Sequence, residues 1–323
     1  MNGNIVLNLS DVSIGYQTPT GTVKAVVDAS LSLSQGDTLG IVGESGSGKS
    51  TLAHGILRLL PRNAVVEGEM FFSDTDLLNC SDKTLKNLRW KEIAVVFQKS
   101  MNSFSPVHRI GEQIVDIYRV HEPEAARDEV YDRIRELFAI VNLSDRVLES
   151  FPHQLSGGML QRVCISLSLI HQPQLVIFDE ATTALDVVTQ GQVLKEIRRL
   201  ESELDVTSIL ITHDVSVVAE TCRRVAVMYA GYIMEIGPVE RVFSDPLHPY
   251  TQGLLASFPS LKGEKKRLQG IPGTLPDLKA KHSGCIFAPR CPKAIGLCHE
   301  ESPPVTDVEP DHAIRCHLTG GEQ

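Results

Sequence analysis

The run Gly43-Glu44-Ser45-Gly46-Ser47-Gly48-Lys49-Ser50-Thr51 fits the pattern G-x-x-x-x-G-K-[ST]. The chemistry it points to is phosphate binding. Glycines let the backbone approach phosphates closely, so that its N–H groups turn inward. Lys49 brings a positive charge to the β and γ phosphates, and Ser50 supplies a hydroxyl for Mg²⁺. Asp179 and Glu180 follow the apolar run Leu175–Phe178. Both carboxylates therefore leave the C-terminal end of a strand, where ligands collect in open α/β sheets. An Asp in that place holds the metal through its water, and the following Glu polarises an attacking water. Together the two segments predict a nucleoside triphosphatase. No [NT]KxD guanine-selecting motif occurs, which disfavours a GTPase.

These groups need a rigid frame, and the apolar pattern supplies one. Ile5, Leu7 and Leu9 alternate as in a strand, and Leu31 with Leu33 marks a second. "TLGIVG" is a buried strand running into the glycine loop, and Leu52, Ile56 and Leu59 recur at helical spacing behind it. "LVIF" is continuous, as expected of a parallel strand covered on both faces. Val193, Ile197, Leu200 and Leu204 predict a helix, with "SILIT" and "RVAVMYAG" as further strands. The alternation predicts a doubly wound α/β sheet. Between about residues 99 and 170 the strand signal gives way to helical, charge-rich sequence, read as an inserted helical subdomain. Beyond about Arg241 the character changes again: ten of the 17 prolines fall between Ser244 and Gln323, which disfavours long helices. The expected organisation is a nucleotide-binding domain over residues 1–240 and a small, loop-rich extension over 241–323.

Composition narrows the function classes. With 323 residues, 42% hydrophobic and 22% charged, the chain is an ordinary folded protein of about two domains. No apolar run reaches the roughly 18 residues that cross a bilayer, and MNGNIVLNLS lacks signal-peptide character. A cytoplasmic protein that works at a membrane through partners is expected. The net charge of −9 argues against a nucleic-acid groove.

"LSGGMLQR" (Leu155–Arg162) decides among phosphate-loop classes, because it resembles the signature motif of ATP-binding-cassette (ABC) ATPases. The other landmarks of that family follow in order. Gln98 resembles the Q-loop glutamine, "TALD" ending at Asp186 the D-loop, and His213 the switch histidine. Tyr16, 27 residues before Gly43, stands where the family stacks an aromatic on adenine. The resemblance implies a P-loop NTPase (RecA-like) fold, ATP and Mg²⁺ as ligands, and two nucleotide domains sandwiching ATP. It implies that Ser156, Gly157 and Gly158 hold the γ-phosphate of the opposite subunit, an anion site at a helix start. By the same resemblance Glu180 is the general base, Asp179 and Gln98 stand at the metal with Ser50, and His213 contacts the γ-phosphate. Ala181, Lys99 and Leu160 depart from residues common in the family, and none of these departures removes a reacting group.

The C-terminal third is similar to ATPase subunits of oligopeptide and dipeptide importers, through "DPLHPYTQGLLASFP" (Asp245–Pro259), "IPGTLPDL" (Ile271–Leu278) and "CIFAPRCPKAIGLC" (Cys285–Cys298). That similarity implies peptide import, with nickel or another small solute as the alternative cargo. A different class, an ABC ATPase acting on nucleic acid or ribosomes, is disfavoured by the single nucleotide domain, the acidic charge and the tail. The implied partners are two integral membrane permease subunits, a second ATPase subunit (identical or homologous) and an extracytoplasmic solute-binding protein, with no nucleic acid. The implied location is peripheral, on the cytoplasmic side of the membrane.

Cys285, Cys291, Cys298 and Cys316 are separated by 5, 6 and 17 residues. Structural zinc pairs are usually tighter, and the common bacterial ferredoxin run differs too, so spacing leaves zinc and iron–sulfur level. The resemblance tips the expectation towards a [4Fe–4S] cluster on the four thiolates, with zinc as the alternative. His282, His299, His312 and His317 lie nearby as substitute ligands.

Overall fold

The computed structural model describes residues 4–98, 100–181, 186–257, 270–280 and 282–319. The chain forms two compact units. One comprises Asn79–Leu210 with Ser34–Asp37 and the N-terminal end; the other comprises Leu7–Leu33, Thr38–Leu78 and the chain from Ile211 onward.

The second unit carries the phosphate loop. Its loop strand, Thr38–Val42, is buried throughout, which is why it reads as an unbroken apolar run. It pairs in parallel with Arg224–Tyr229, with Val42 opposite Val227. Arg224–Tyr229 turns back antiparallel to Tyr232–Pro238. The sheet then continues into the tail, because Tyr232–Pro238 pairs with His312–Arg315, which pairs with Val305–Glu309. The C-terminal extension is thus sewn onto the sheet that aims the phosphate loop.

The two strands expected from Ile5–Leu9 and Leu31–Leu33 are present, and they belong to a separate antiparallel sheet that the apolar pattern did not announce. Ile5–Thr18 lies between Gly21–Ser34 and Ala64–Phe72, and Thr75–Asp76 closes the edge. The alternation on the first strand breaks midway: Leu7 and Leu9 are buried, then Val12 and Ile14. A register shift between Ser10 and Ser13 accounts for the slip, since one extra residue moves the inward set by one position. Asp11 takes φ 50° there. Ile5, expected on the inward face, is 50% exposed.

The helix after the phosphate loop, Lys49–Ile56, is shorter than its apolar spacing suggests. Arg58 adopts φ 48°, which ends the helix, and Leu59 is left 42% exposed.

In the first unit, Leu175–Asp179 is buried along its length and pairs in parallel with Ile93–Val96; Thr207–Ile211 flanks its other edge. Among the described residues, every regular element between Ser100 and Ser168 is helical. Its longer helices are Ile110–Tyr118, Arg127–Ile140 and Gly157–Ser168, packed through Ile114, Ile134, Leu137, Phe138 and Val163.

Candidate nucleotide site

In the phosphate loop the glycines are required by geometry. Gly43, Gly46 and Gly48 take φ of 150°, 81° and 103°. A Cβ at Gly43 would lie 2.0 Å from the carbonyl oxygen of Met228, and one at Gly48 would lie 2.2 Å from that of Ala25. Only glycine leaves the backbone free to wrap in this way. Gly48 then opens the helix Lys49–Ile56, its carbonyl accepting from the Leu52 amide at 2.9 Å. Ser47 is fully buried and its amide donates to the Glu44 carbonyl at 3.1 Å. Lys49, only 6% exposed, donates through Nζ to the carbonyls of Gly43 and Glu44, each at 2.9 Å, and to Ser47 Oγ at 3.3 Å. The ammonium is held at the centre of the loop by its carbonyls. Tyr16 donates its hydroxyl to Thr51 Oγ1 at 3.3 Å, so the aromatic expected at adenine is tied to the helix that follows the loop. His213 is exposed one residue past Thr212, whose amide donates to the Ile41 carbonyl at 3.3 Å.

Two residues in this unit were not singled out from the sequence. The Glu44 amide donates to Tyr250 Oη at 3.0 Å, and the Glu44 carboxylate receives Arg290 through both oxygens, at 2.9 and 3.1 Å. Burial pushes the Tyr250 hydroxyl pKa well up. Arg290 lies in the run Cys285–Cys298, directly before Cys291.

The first unit carries the other sequence-derived groups. Asp179 is 6% exposed at the end of its strand. Glu180 follows with φ 49°, a left-handed backbone that a non-glycine residue adopts at a cost of about 1–3 kcal/mol. Gln98 donates through Nε2 to Glu180 Oε2 at 3.0 Å, 82 residues apart in sequence. Ser156 caps the helix Gly157–Ser168, its Oγ accepting from the Met159 amide at 3.2 Å. A Cβ on Gly158 would meet Thr189 Cγ2 at 2.4 Å, so this glycine lets the helix Val187–Leu204 approach. Asp186 accepts from the Thr189 amide and hydroxyl at 3.1 and 2.7 Å. The remainder of the D-loop-like segment, residues 183–185, and Lys99 lie outside the described residues.

Gln98 and Asp179 in the first unit, and Ser50 in the second, each carry a hard oxygen donor of the kind that Mg²⁺ takes. For the thiols the outcome is different. The Cys285 amide donates to the Cys298 carbonyl at 2.8 Å. Burial pushes the Cys285 thiol up to about 11, with the neighbouring Cys298 and Cys316 adding to it. Cys316 is raised by burial and then by Cys291 and Cys298. The four thiols share one neighbourhood, yet among the described residues no three His, Cys, Asp or Glu side chains form a group that could hold a metal ion. Among the described residues, then, no formed ligand group supports the expected [4Fe–4S] cluster or zinc. Three of the four nearby histidines are engaged elsewhere through Nε2: His282 meets the Asp277 carbonyl, His317 the Glu301 carbonyl and His312 the Glu235 carboxylate.

Residues 26–183 match the family model described as ABC transporter, and residues 234–298 match that of the oligopeptide/dipeptide transporter C-terminal region. The chain is 41% identical to the probable peptide ABC transporter ATP-binding protein y4tR of Sinorhizobium fredii, over 97% of this chain and 95% of that protein. It is 40% identical to the oligopeptide transport ATP-binding protein OppD of Escherichia coli, over 96% and 92%. The dipeptide transport ATP-binding protein DppD of Bacillus subtilis is 41% identical over 97% and 94%. Among solved structures, a dimeric post-hydrolysis form of the ATP-binding cassette MJ0796 bound to ADP and Pi is similar at a TM-score of 0.64 and 27% identity. That match covers 72% of this chain and 98% of the other. With a phosphate loop closed around Lys49, a glutamine bonded to the glutamate after an apolar strand, and this likeness along nearly its whole length, the chain belongs to the ABC transporter ATPases of the oligopeptide/dipeptide branch.

Proposed function

We propose that this chain hydrolyses ATP to ADP and phosphate to power import of peptides through a membrane permease. The observation that carries the reading is the hydrogen bond between Gln98 and Glu180, which ties the proposed metal-contacting amide to the proposed water-polarising carboxylate. In this reading Gly43–Thr51 hold the phosphates, with Lys49 neutralising charge between β and γ, and Tyr16 stacks on adenine. Ser50, Asp179 and Gln98 would hold Mg²⁺, which would supply charge neutralisation to the phosphates. Glu180 orients the attacking water and takes its proton, and His213 steadies the γ-phosphate. Ser156, Gly157 and Gly158, at the capped helix start, serve the nucleotide of a second ATPase subunit, with Asp186 beside them.

Working as a cassette over residues 1–240 with an importer-type extension over 241–323, the chain acts at the cytoplasmic face of a membrane, partnered by two permease subunits and fed by a solute-binding protein. Among the described residues no helix is long and apolar enough to cross a membrane. Glu180→Gln tests the mechanism: Mg–ATP binding is retained while turnover falls by at least about a hundredfold. Full turnover in that variant overturns the assignment of Glu180. For cargo, deletion of the chain abolishes peptide uptake; uptake of nickel lost in its place reassigns the solute.

A [4Fe–4S] cluster on Cys285, Cys291, Cys298 and Cys316 is supported by the motif and by the shared neighbourhood of the thiols, not by a formed ligand group. Protein purified without oxygen decides it: about four irons and four sulfides per chain support the cluster, and zinc or no metal removes it.

A further inference from the structure

Of the side chains by which the C-terminal extension meets the phosphate loop, Arg290 is the one that takes hold of the Glu44 carboxylate. Arg290 ends the short turn Ala288–Arg290, one residue before Cys291, and its side chain is only 7% exposed. A guanidinium has five N–H groups, and five acceptors surround this one. Nε donates to the Pro272 carbonyl at 2.7 Å. One terminal nitrogen meets Glu44 Oε2 at 2.9 Å and Tyr229 Oη at 3.3 Å. The other meets Glu44 Oε1 at 3.1 Å and the Ile271 carbonyl at 3.2 Å. The guanidinium also stands 5.5 Å from the centre of the Tyr229 ring. Nothing about the position is incidental to the loop. Leu275 Cδ1 lies 3.5 Å from where a Cβ on Gly46 would be, and the Leu278 carbonyl accepts from the Lys24 amide at 3.1 Å.

Glu44 occupies the second position of the loop whose amides face phosphate. An uncompensated carboxylate there repels a polyphosphate and competes with it for the loop's N–H groups. Lys49 holds the Glu44 carbonyl, Tyr250 holds its amide, and Arg290 takes both carboxylate oxygens away from the loop. We propose that Arg290 is a positioning residue for ATP: it neutralises Glu44 and fixes the phosphate loop in its wrapped form, so that the integrity of the Cys285–Cys298 segment is felt at the nucleotide. The inference rests on the reading of Gly43–Thr51 as the ATP phosphate site. Lysine does not substitute, because an ammonium cannot grip both oxygens in one plane.

The experiment is equilibrium binding of Mg–ATP to the full chain, with steady-state hydrolysis alongside. Arg290→Ala weakens Mg–ATP binding about tenfold, the scale of one charge-assisted contact, and raises KM more than it lowers kcat. Arg290→Lys behaves similarly. In the double variant Arg290→Ala/Glu44→Gln the carboxylate is gone, and binding returns to within about threefold of the parent. A merely structural anchor gives no such recovery, since removing the Glu44 charge does not rebuild the bonds to Ile271, Pro272 and Tyr229. Unchanged binding in Arg290→Ala, or a double variant as weak as the single, overturns the proposal. Should Arg290→Ala not fold, Arg290→Gln, which keeps amide donors for the tail carbonyls without charge, carries the same pair of outcomes. Lys49→Ala separates the two readings: it abolishes Mg–ATP binding if the loop is the phosphate site, and parental binding in it overturns that assignment and the Arg290 proposal with it.

Discussion

Two glycines at opposite extremes show what individual residues contribute. Gly48 has φ 103° and its absent Cβ would lie 2.2 Å from the backbone oxygen of Ala25, whereas Gly191, inside the helix Val187–Leu204, has nothing within 4 Å of that point. Gly48→Ala therefore displaces backbone at the loop and costs about 2 kcal/mol or more. Gly191→Ala removes flexibility from the unfolded chain and gains up to about 1 kcal/mol. Urea unfolding of the two variants checks this, with midpoints moving in opposite directions; a rise in both refutes the account of Gly48, and a fall in both that of Gly191. The need for glycine at these turns was legible because one contiguous run fixes it. Arg290 was not legible, since its acid partner lies 246 positions away and no local pattern joins them. Gln98 and Glu180 were named for their separate landmarks, and their hydrogen bond is a fact of the fold alone.

At the level of elements, legibility followed burial on both faces. Thr38–Val42, Leu175–Asp179 and Thr207–Ile211 are buried throughout and read directly as apolar runs. In the antiparallel sheet the strands Ile5–Thr18 and Gly21–Ser34 were read in part, from Ile5–Leu9 and Leu31–Leu33, but the bulge breaks the two-residue period of the first and Ala64–Phe72 was not read. Neither were the tail strands: Val305–Glu309 carries only exposed and half-buried residues. What binds the tail is a buried carboxylate. Glu235, fully enclosed on the strand Tyr232–Pro238, accepts from the amides of Leu247 and His248 and from His312 Nε2, each at 3.0 Å. Three elements meet on one side chain: that strand, the start of the helix Pro249–Ala256 and the strand His312–Arg315. Glu235→Ala leaves two amides and an imidazole without their acceptor and is expected to cost about 3–5 kcal/mol. Glu235→Gln keeps an acceptor and costs less. Chemical denaturation of the pair tests the order, and equal losses would show that the carboxylate is not the tie.

For the whole molecule the balance of buried titratable groups sets how stability responds to pH, and the sequence charge of −9 carries no information on it. Burial holds His248 down at about 4; His171 is also held at about 4, by burial and then by the neighbouring His121. The unfolded chain binds protons at these two positions from about pH 6.5 downward, so their contribution is complete above pH 6.5 and is lost as pH falls towards 4. Glu201 works the other way. Burial raises its carboxyl to about 7, against the Ser208 hydroxyl and Arg198. Stability from this group is present below about 4.5 and is lost as pH rises through 7, because the folded chain then ionises a buried acid that the unfolded chain ionises freely. A displacement from 4.5 to about 7 corresponds to about 3 kcal/mol at pH 8. Glu201→Gln removes that cost while keeping an oxygen for the Ser208 hydroxyl, so it should melt several degrees above the parent at pH 8. The two curves should converge near pH 4.5, where the parent carboxyl is already protonated in the fold. A gap of equal size at both pH values would mean that Glu201 is ionised alike in folded and unfolded chains. The acid limb, set by His248 and His171, should then remain unchanged in the variant.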